Sequence, residues 1–283
     1  MTLKEDKNKI DRGLYLVSTP IGNLRDITLR ALDVLNQSDI ILCEDTRVSK
    51  KLLSHYKIEK QIISYHKFNE RKNLQKIINL LKDNLIVSLI SDAGTPAISD
   101  PGKILIKQCI DEDIRIIPIP GASAVTTSLS ISGFSDKFYF HGFLSETSHS
   151  IKKEFNLFQS LKCSIIFFIS AQKLNKNFQL LKEFFSDREI LICRELTKLH
   201  ESFYRGTVSE IDKFKFNPRG EVTVIISEKK NLDKKELNES DKKKIKKLIQ
   251  NKSVKDIVRI FSQEKNISKS KIYNYCLLIK NET

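Results

Sequence analysis

The sequence predicts an α/β fold of two parts, a parallel-rich sheet domain and then a mixed α+β domain, followed by a small C-terminal helical appendage. Three observations predict it. Short apolar runs alternate with helical segments from Leu14 to residue 128. From about Ile131 strand-like runs crowd together, with only a short helix between the last two. Beyond residue 231 the chain turns basic and helical. The corresponding boundaries are 12–128, 129–231 and 232–283.

In the first part, strands are expected at Leu14–Val17, Ile40–Cys43, Leu85–Ile90 and Ile114–Ile117, with helices across 28–36, 47–55, 69–81 and 102–112. Such alternation implies a mostly parallel sheet wrapped by helices. In the second part, strands are expected at 138–141, 164–169, 189–193, 202–206 and 221–226, with helices near 151–160, 173–185 and 208–214. The close spacing of the last two strands predicts some antiparallel pairing. Residues 228–247 hold no aromatic and almost no apolar side chain, so they read as a solvated hinge leading into a helix. Three short helices follow at 245–249, 254–261 and 268–278, with Ser253 and Ser268 placed to cap the second and third.

Composition narrows the class. With 40% hydrophobic residues the chain can bury proper cores, and its longest apolar runs, such as Ile165–Ile169, are far too short to cross a bilayer. Residues 1–12 are polar and of mixed charge, unlike a signal peptide, so a cytoplasmic protein is expected. The cysteines at 43, 109, 163, 193 and 276 form no CxxC pair and have no histidine at ligand spacing; they read as small core residues, and no metal is expected. The net charge is +14, and about half of it falls in residues 232–283, which carry 14 Lys/Arg against 7 Asp/Glu. That concentration favours a nucleic-acid partner over a merely solvated tail.

Three loops carry most of the functional signal. Of nine glycines and six prolines, four and five respectively fall in Pro20–Gly22, Gly94–Gly102 and Pro118–Gly121, each after an apolar run. The segment Ser91–Gly102, SDAGTPAISDPG, is the richest in hydrogen-bonding groups and in backbone that a ligand can approach closely. Loops at strand ends of one sheet converge, and ligands of open α/β sheets sit there.

Together, GLYLVSTPIGNLRDITLRALDVL from Gly13, ILCEDTRVSKKLL from Ile41, SLISDAGTPAISDPG from Ser88 and PIPGASA from Pro118 resemble the tetrapyrrole methylase superfamily. Within it, the chain is similar to the bacterial methyltransferases of small-subunit (16S) ribosomal RNA that act on a cytidine 2′-hydroxyl. SGFSDKFYFHGFL from Ser132, RELTKLHESFYRGTVSEI from Arg194 and RGEVTVII from Arg219 extend the match. The resemblance implies an S-adenosylmethionine enzyme whose cofactor lies in a cleft, carried by loops of residues 12–128 and closed by 129–231. It also implies a homodimer, and KSKIYNYCLL near the end resembles the family's basic C-terminal helices, a unit that either docks on nucleic acid as a helix-turn-helix does or packs as a three-helix lid on the second domain. No GxGxxG is expected in such a fold, and none is present. One stretch departs: where members carry an aromatic-Glu-Ser-Pro-His-Arg-like run, this chain has Phe168–Leu174, in which only Ser170 and Lys173 keep related polarity.

Methyl transfer to a ribose hydroxyl requires donor and acceptor in near-attack geometry and a destination for the hydroxyl proton. On the resemblance, the donor site falls to Gly94, Thr95 and Ile98, with Ser123 and Ala124 after the third loop. Pro20, Gly22 and Asn23 form a wall, and Asp92 either braces its loop or meets the donor's ammonium. On the acceptor side Asp45 is the first candidate base, His66 an alternative, and Arg47 a phosphate grip; Asp45 and Arg47 could equally pair with each other. Arg194 and Glu195 either line the cleft or bridge neighbouring loops. Lys269 and Lys271 with Tyr273 and Tyr275 mix charge with stacking surface, as single-stranded RNA contacts do, unless the tyrosines form a core face. Two other readings stay open: a tetrapyrrole C-methyltransferase, and a non-catalytic RNA-binding homologue that kept the scaffold after residues 168–174 changed.

Overall fold

The computed structural model describes residues 10–214, 220–229, 237–264, 267 and 269–281. The chain divides into two compact units, Met1–Glu228 and Lys229–Thr283.

The first unit opens on a sheet of five strands, β1 (Gly13–Val17), β2 (Ile40–Cys43), β3 (Gln61–Ser64), β4 (Ile86–Leu89) and β5 (Ile116–Ile119). Their order is β3-β2-β4-β1-β5, and every neighbouring pair is parallel. Successive side chains leave a strand on opposite faces, and both faces here are apolar. Leu14, Ile40 and Leu42 enter one core with Ile77, Leu81 and Leu105. Tyr15, Ile41 and Cys43 enter the other with Ala31, Leu35 and Leu53. Hence α1 (Leu29–Gln37) and α2 (Thr46–His55) cover one face, and α3 (Glu70–Lys82) and α4 (Lys103–Asp111) the other. The threonine before α1 serves as its cap, Thr28 Oγ1 accepting from Ala31 N–H at 3.1 Å.

After α5 (Ala124–Ser130) comes a mixed sheet of β6 (Phe138–Phe143), β7 (Ser164–Ser170), β8 (Glu189–Arg194), β9 (Ser202–Thr207) and β10 (Glu221–Ile226), in the order β6-β7-β10-β8-β9. Only β6 and β7 pair in parallel. Alternation again sorts the faces. Ile165, Phe167, Val222 and Val224 pack under α6 (Ser148–Ser160), α7 (Ala171–Lys176) and α8 (Phe178–Phe185). Ile166 and Ile225 point the other way, to Val125 of α5 and to Ile21 in the loop after β1. That fourth core joins α5 and the loop after β1 to the second sheet and so fixes what lies between them.

The structure revises several expectations. Strand β3 was not foreseen: Gln61–Ser64 carries only two apolar residues, enough for an edge strand whose one neighbour is β2. Strand β5 lies two residues later than expected, because Ile114 N–H still closes the end of α4 on Cys109 O and Asp113 adopts a left-handed φ of 52°. Pro118 is therefore a strand residue and not part of a loop, tolerated because β5 is an edge that needs no N–H there. The helix expected over 173–185 breaks at Asn177, whose side chain donates to Lys173 O at 2.8 Å.

In the second unit, α9 (Glu239–Leu248), α10 (Val254–Glu264) and α11 (Lys269–Asn281) enclose Ile245, Ile257, Phe261, Ile267, Ile272 and Cys276. The stretch read as a solvated hinge is already helical by Glu239. Asn238 Oδ1 accepts from Asp241 N–H at 2.8 Å, and Ile245 is fully buried, so a cap and one apolar anchor outweigh the run of lysines. Ser253 caps α10 through Asp256 N–H at 3.2 Å. Ser268 and residues 230–236 of the hinge lie outside the described residues. The tyrosines of α11 divide: Tyr273 is exposed, and Tyr275 packs against the core. Four cysteines are buried and Cys163 is half-buried. No helix among the described residues is long and apolar enough to cross a membrane.

Candidate active site

Because the first sheet is parallel throughout, the loops after β1, β2, β4 and β5 emerge at one edge, and they are bonded to one another. Thr19 N–H donates to Gly94 O at 2.9 Å and Gly94 N–H returns to Thr19 O at 3.1 Å, joining the β1 and β4 loops. Ser18 Oγ and Thr95 Oγ1 share a hydrogen bond of 3.1 Å beside them. A Cβ on Gly121 would lie 2.8 Å from Ser18 Cβ, so only glycine lets the β5 loop come this close. From β2, Asp45 N–H donates to Asp92 Oδ1 at 3.1 Å. Within the β4 loop, Ala97 and Ser99 hold left-handed φ values of 65° and 67°. Such positions cost roughly 1 kcal/mol or more each and mark a loop held in place by its surroundings.

These loops and the second sheet enclose a cavity of about 420 Å³, within the range of small-ligand sites. The first sheet contributes Ile21, Glu44, Asp92, Gly94, Thr95 and Ile98, and the start of α5 adds Ser123 and Ala124. Facing them are Phe143 of β6, Phe168 of β7, Glu221–Thr223 of β10, and Glu195, Leu196 and Lys198 between β8 and β9. The β8–β9 connection also grips the β1 loop, since Thr197 Oγ1 accepts from Asn23 N–H at 2.9 Å. A Cβ on Gly22 would lie 2.6 Å from Leu196 O.

One wall of the cavity is acidic. Burial raises the Asp100 carboxyl to about 6, with Glu44 beside it adding to the rise. Burial likewise raises Asp92 and Glu44, with Asp92 adding to the rise at Glu44 and Asp45 adding to that at Asp92. A wall of carboxylates that resist ionisation is complementary to a cationic ligand, whose charge would relieve their mutual repulsion. The donor set therefore fits S-adenosylmethionine: carboxylates for its positive charges, apolar Ile21, Ile98 and Phe168 for its adenine, and the left-handed Gly94, φ 80°, leaving backbone open to contact. No group of three or more His, Cys, Asp or Glu able to hold a metal occurs among the described residues.

Of the residues singled out from sequence, Asp92, Gly94, Thr95, Ile98, Ser123 and Ala124 come together around this cavity. Pro20, Gly22 and Asn23 stand beside it in the β1 loop, with Ile21 forming the lining. Asp45 and Arg47 pair with each other at 2.6 Å at the exposed start of α2, and hydrogen bonds from Arg47 hold the Asp45 carboxyl at about 2. His66 sits in the turn after β3, its Nδ1 accepting from Phe68 N–H at 3.2 Å. Glu195 lines the cavity and pairs with Lys198 at 3.1 Å. The departing segment is a helix start: Ser170 Oγ caps α7 at Lys173 N–H, and Lys173 pairs with Glu146 at 2.7 Å.

Glu44 and Asp100 were missed, although both lie inside motifs already recognised, EDTR and SDAGTPAISDPG. Phe143 and residues 221–223 lie in the matching stretches SGFSDKFYFHGFL and RGEVTVII, but nothing in those stretches pointed to the cavity, since only packing of the second sheet brings them there.

A family model described as Tetrapyrrole (Corrin/Porphyrin) Methylases matches residues 13–212. The chain is 47% identical over 235 residues to a protein of Mesomycoplasma conjunctivae named Ribosomal RNA small subunit methyltransferase I, covering 82% of this chain and 98% of that one. It is 35% identical over 274 residues to a protein of the same name from Neisseria meningitidis serogroup A, covering 95% and 94%. Among solved structures, a diphthine synthase superposes with a TM-score of 0.62 at 14% identity, covering 76% of this chain and 89% of that one. A uroporphyrin-III-C-methyltransferase from Thermus thermophilus superposes with a TM-score of 0.54 at 15% identity, covering 76% and 93%.

Proposed function

The chain belongs to the tetrapyrrole methylase family and uses S-adenosylmethionine, and from that premise we propose that it methylates small-subunit ribosomal RNA, at the 2′-hydroxyl of a cytidine. The observation that carries this reading is the SDAGTPAISDPG segment folded as cavity wall, in a chain 47% identical over nearly the whole length of a relative named for small-subunit ribosomal RNA.

S-adenosylmethionine, when bound, supplies an electrophilic methyl group. The rest falls to the protein. Asp92 and Glu44 offer negative charge to the donor, Gly94, Thr95, Ser123 and Ala124 give backbone and small side chains at its edge, and Pro20, Gly22 and Asn23 brace the wall that presents Ile21. Arg47, 87% exposed, stands outside the cavity and meets substrate phosphate. The Asp45 carboxylate is tied to Arg47, whose hydrogen bonds make it a weak proton acceptor, and His66 Nδ1 accepts from Phe68 N–H. Asp100 is the cavity acid raised to about 6, the value suited to taking a proton near neutrality, and we assign it that part. Positioning supplies much of the remaining rate. A cytoplasmic homodimer, divided into the segments 12–128, 129–231 and 232–283 with the last contacting RNA, completes the proposal.

The deciding test is transfer of labelled methyl from S-adenosylmethionine by the purified protein to small ribosomal subunits from a bacterium lacking its own homologue. Label in an alkali-stable dinucleotide that contains cytidine is expected. Label on a base would refute the ribose assignment, and transfer to a tetrapyrrole with none to RNA would refute the RNA reading.

A further inference from the structure

Phe68 is 93% exposed, a large apolar ring left in water at the same sheet edge as the cavity. It is held there by its turn. Asn69 Oδ1 accepts from His66 N–H at 2.8 Å, and Asn69 Nδ2 and Asn73 Nδ2 both donate to Ser64 O, at 3.0 and 3.3 Å. Glu70 Oε2 accepts from Gly102 N–H at 3.4 Å, which ties the turn to the end of the cavity loop. Such a network is a poor way to tolerate a stray phenylalanine and a good way to present one.

The surroundings are cationic. Strands β2 and β3 run in register with Cys43 opposite Ser64, and Arg47 and Phe68 each stand four residues beyond those partners. Arg47, Lys67, Arg71 and Lys72 are all exposed. Of the acids close by, Asp45 pairs with Arg47, Glu70 accepts from Gly102 N–H, and Glu44 and Asp92 line the cavity. An exposed aromatic ring among exposed cations matches the way proteins hold single-stranded nucleic acid, rings stacking bases and cations following phosphates. A second copy of this chain would bring the same excess of positive charge against it.

We propose that Phe68 is a stacking platform for an unpaired base of the RNA beside the methylated nucleotide, with Lys67 and Arg71 gripping the flanking phosphates. The proposal rests on the ribosomal RNA reading above and adds to it the residue that orders the strand at the cavity mouth.

The test compares wild type, Phe68→Ala and Phe68→Trp, using a single-stranded oligoribonucleotide that carries 2-aminopurine. Phe68→Ala is expected to weaken RNA binding by roughly 5- to 150-fold and to abolish the fluorescence quenching. Calorimetric affinity for S-adenosylmethionine and the melting temperature stay unchanged, and Phe68→Trp restores binding. Unchanged RNA affinity in Phe68→Ala, with wild type still methylating small subunits, overturns the platform and leaves the functional reading standing. A wild type that neither binds the oligonucleotide nor methylates small subunits overturns both. A fall in sedimenting mass on Phe68→Ala, with RNA affinity unchanged, overturns the platform by showing that a second copy covers the ring.

Discussion

Asp100→Asn tests the electrostatics of the cavity wall directly, because asparagine keeps the size of the side chain and removes its charge. Asp100 is raised from an ordinary 3.8 to about 6, first by burial and then by Glu44. At about 1.4 kcal/mol per pH unit that rise is worth about 3 kcal/mol. The side chain keeps some contact with solvent, and screening reduces the figure to roughly 1–2 kcal/mol. The sign follows from linkage. A folded-state value above the unfolded one means that the fold favours the protonated acid, so stability is full below pH 3.8 and is lost as pH rises through about 6. Asp100→Asn should therefore gain roughly 1–2 kcal/mol at pH 8, about half of that at pH 5, and nothing below pH 3.8. Urea denaturation at a series of pH values measures it. In parallel, methyl transfer should fall by roughly 10²- to 10⁴-fold, the usual loss on removing a general base. A variant less stable than wild type at pH 8, or one whose gain is equal at pH 5 and pH 8, would refute the argument.

Three further outcomes are expected. Gly22→Ala places a methyl group 2.6 Å from Leu196 O, so the β1 loop and the β8–β9 connection must part; calorimetry should show weaker S-adenosylmethionine binding, by about 10-fold or more. Phe155, fully buried in α6 against Phe158, Phe167, Phe184 and Phe185, should cost about 3–5 kcal/mol when cut to alanine, read as a lower urea midpoint. Ser253→Ala removes the cap of α10 and a 2.6 Å bond to Asp256, and should destabilise the C-terminal helices by about 1 kcal/mol in the same measurement.

Much of the first sheet was legible because its strands are local signals. Four residues at Ile40–Cys43, all apolar, read as a buried strand, and they are one. Gln61–Ser64 was not legible, since an edge strand needs fewer apolar residues and its pairing with β2 is decided at a distance. The same contrast holds at the cavity. The loop residues around Gly94 and Ser123 were marked by glycine, proline and small side chains within one motif each. Asp100 lies within such a motif, but an aspartate before proline and glycine fits turn chemistry equally well. Its surroundings, which include Glu44 and Glu221, are what make it otherwise.

Local order along the chain therefore sufficed for the α/β class, the parallel sheet and the loops that bear the cavity, because apolar periodicity, capping and turn residues act between near neighbours, while the family rested on the resemblance of its motifs. Tertiary structure alone decided which carboxylates lose water, that Asp45 spends its charge on Arg47, and that Phe143, Phe168 and Glu221–Thr223 meet loops more than a hundred residues away in some cases. Desolvation and Coulomb interaction depend on distance in space, and distance in space is set only when the second sheet packs across the loops of the first.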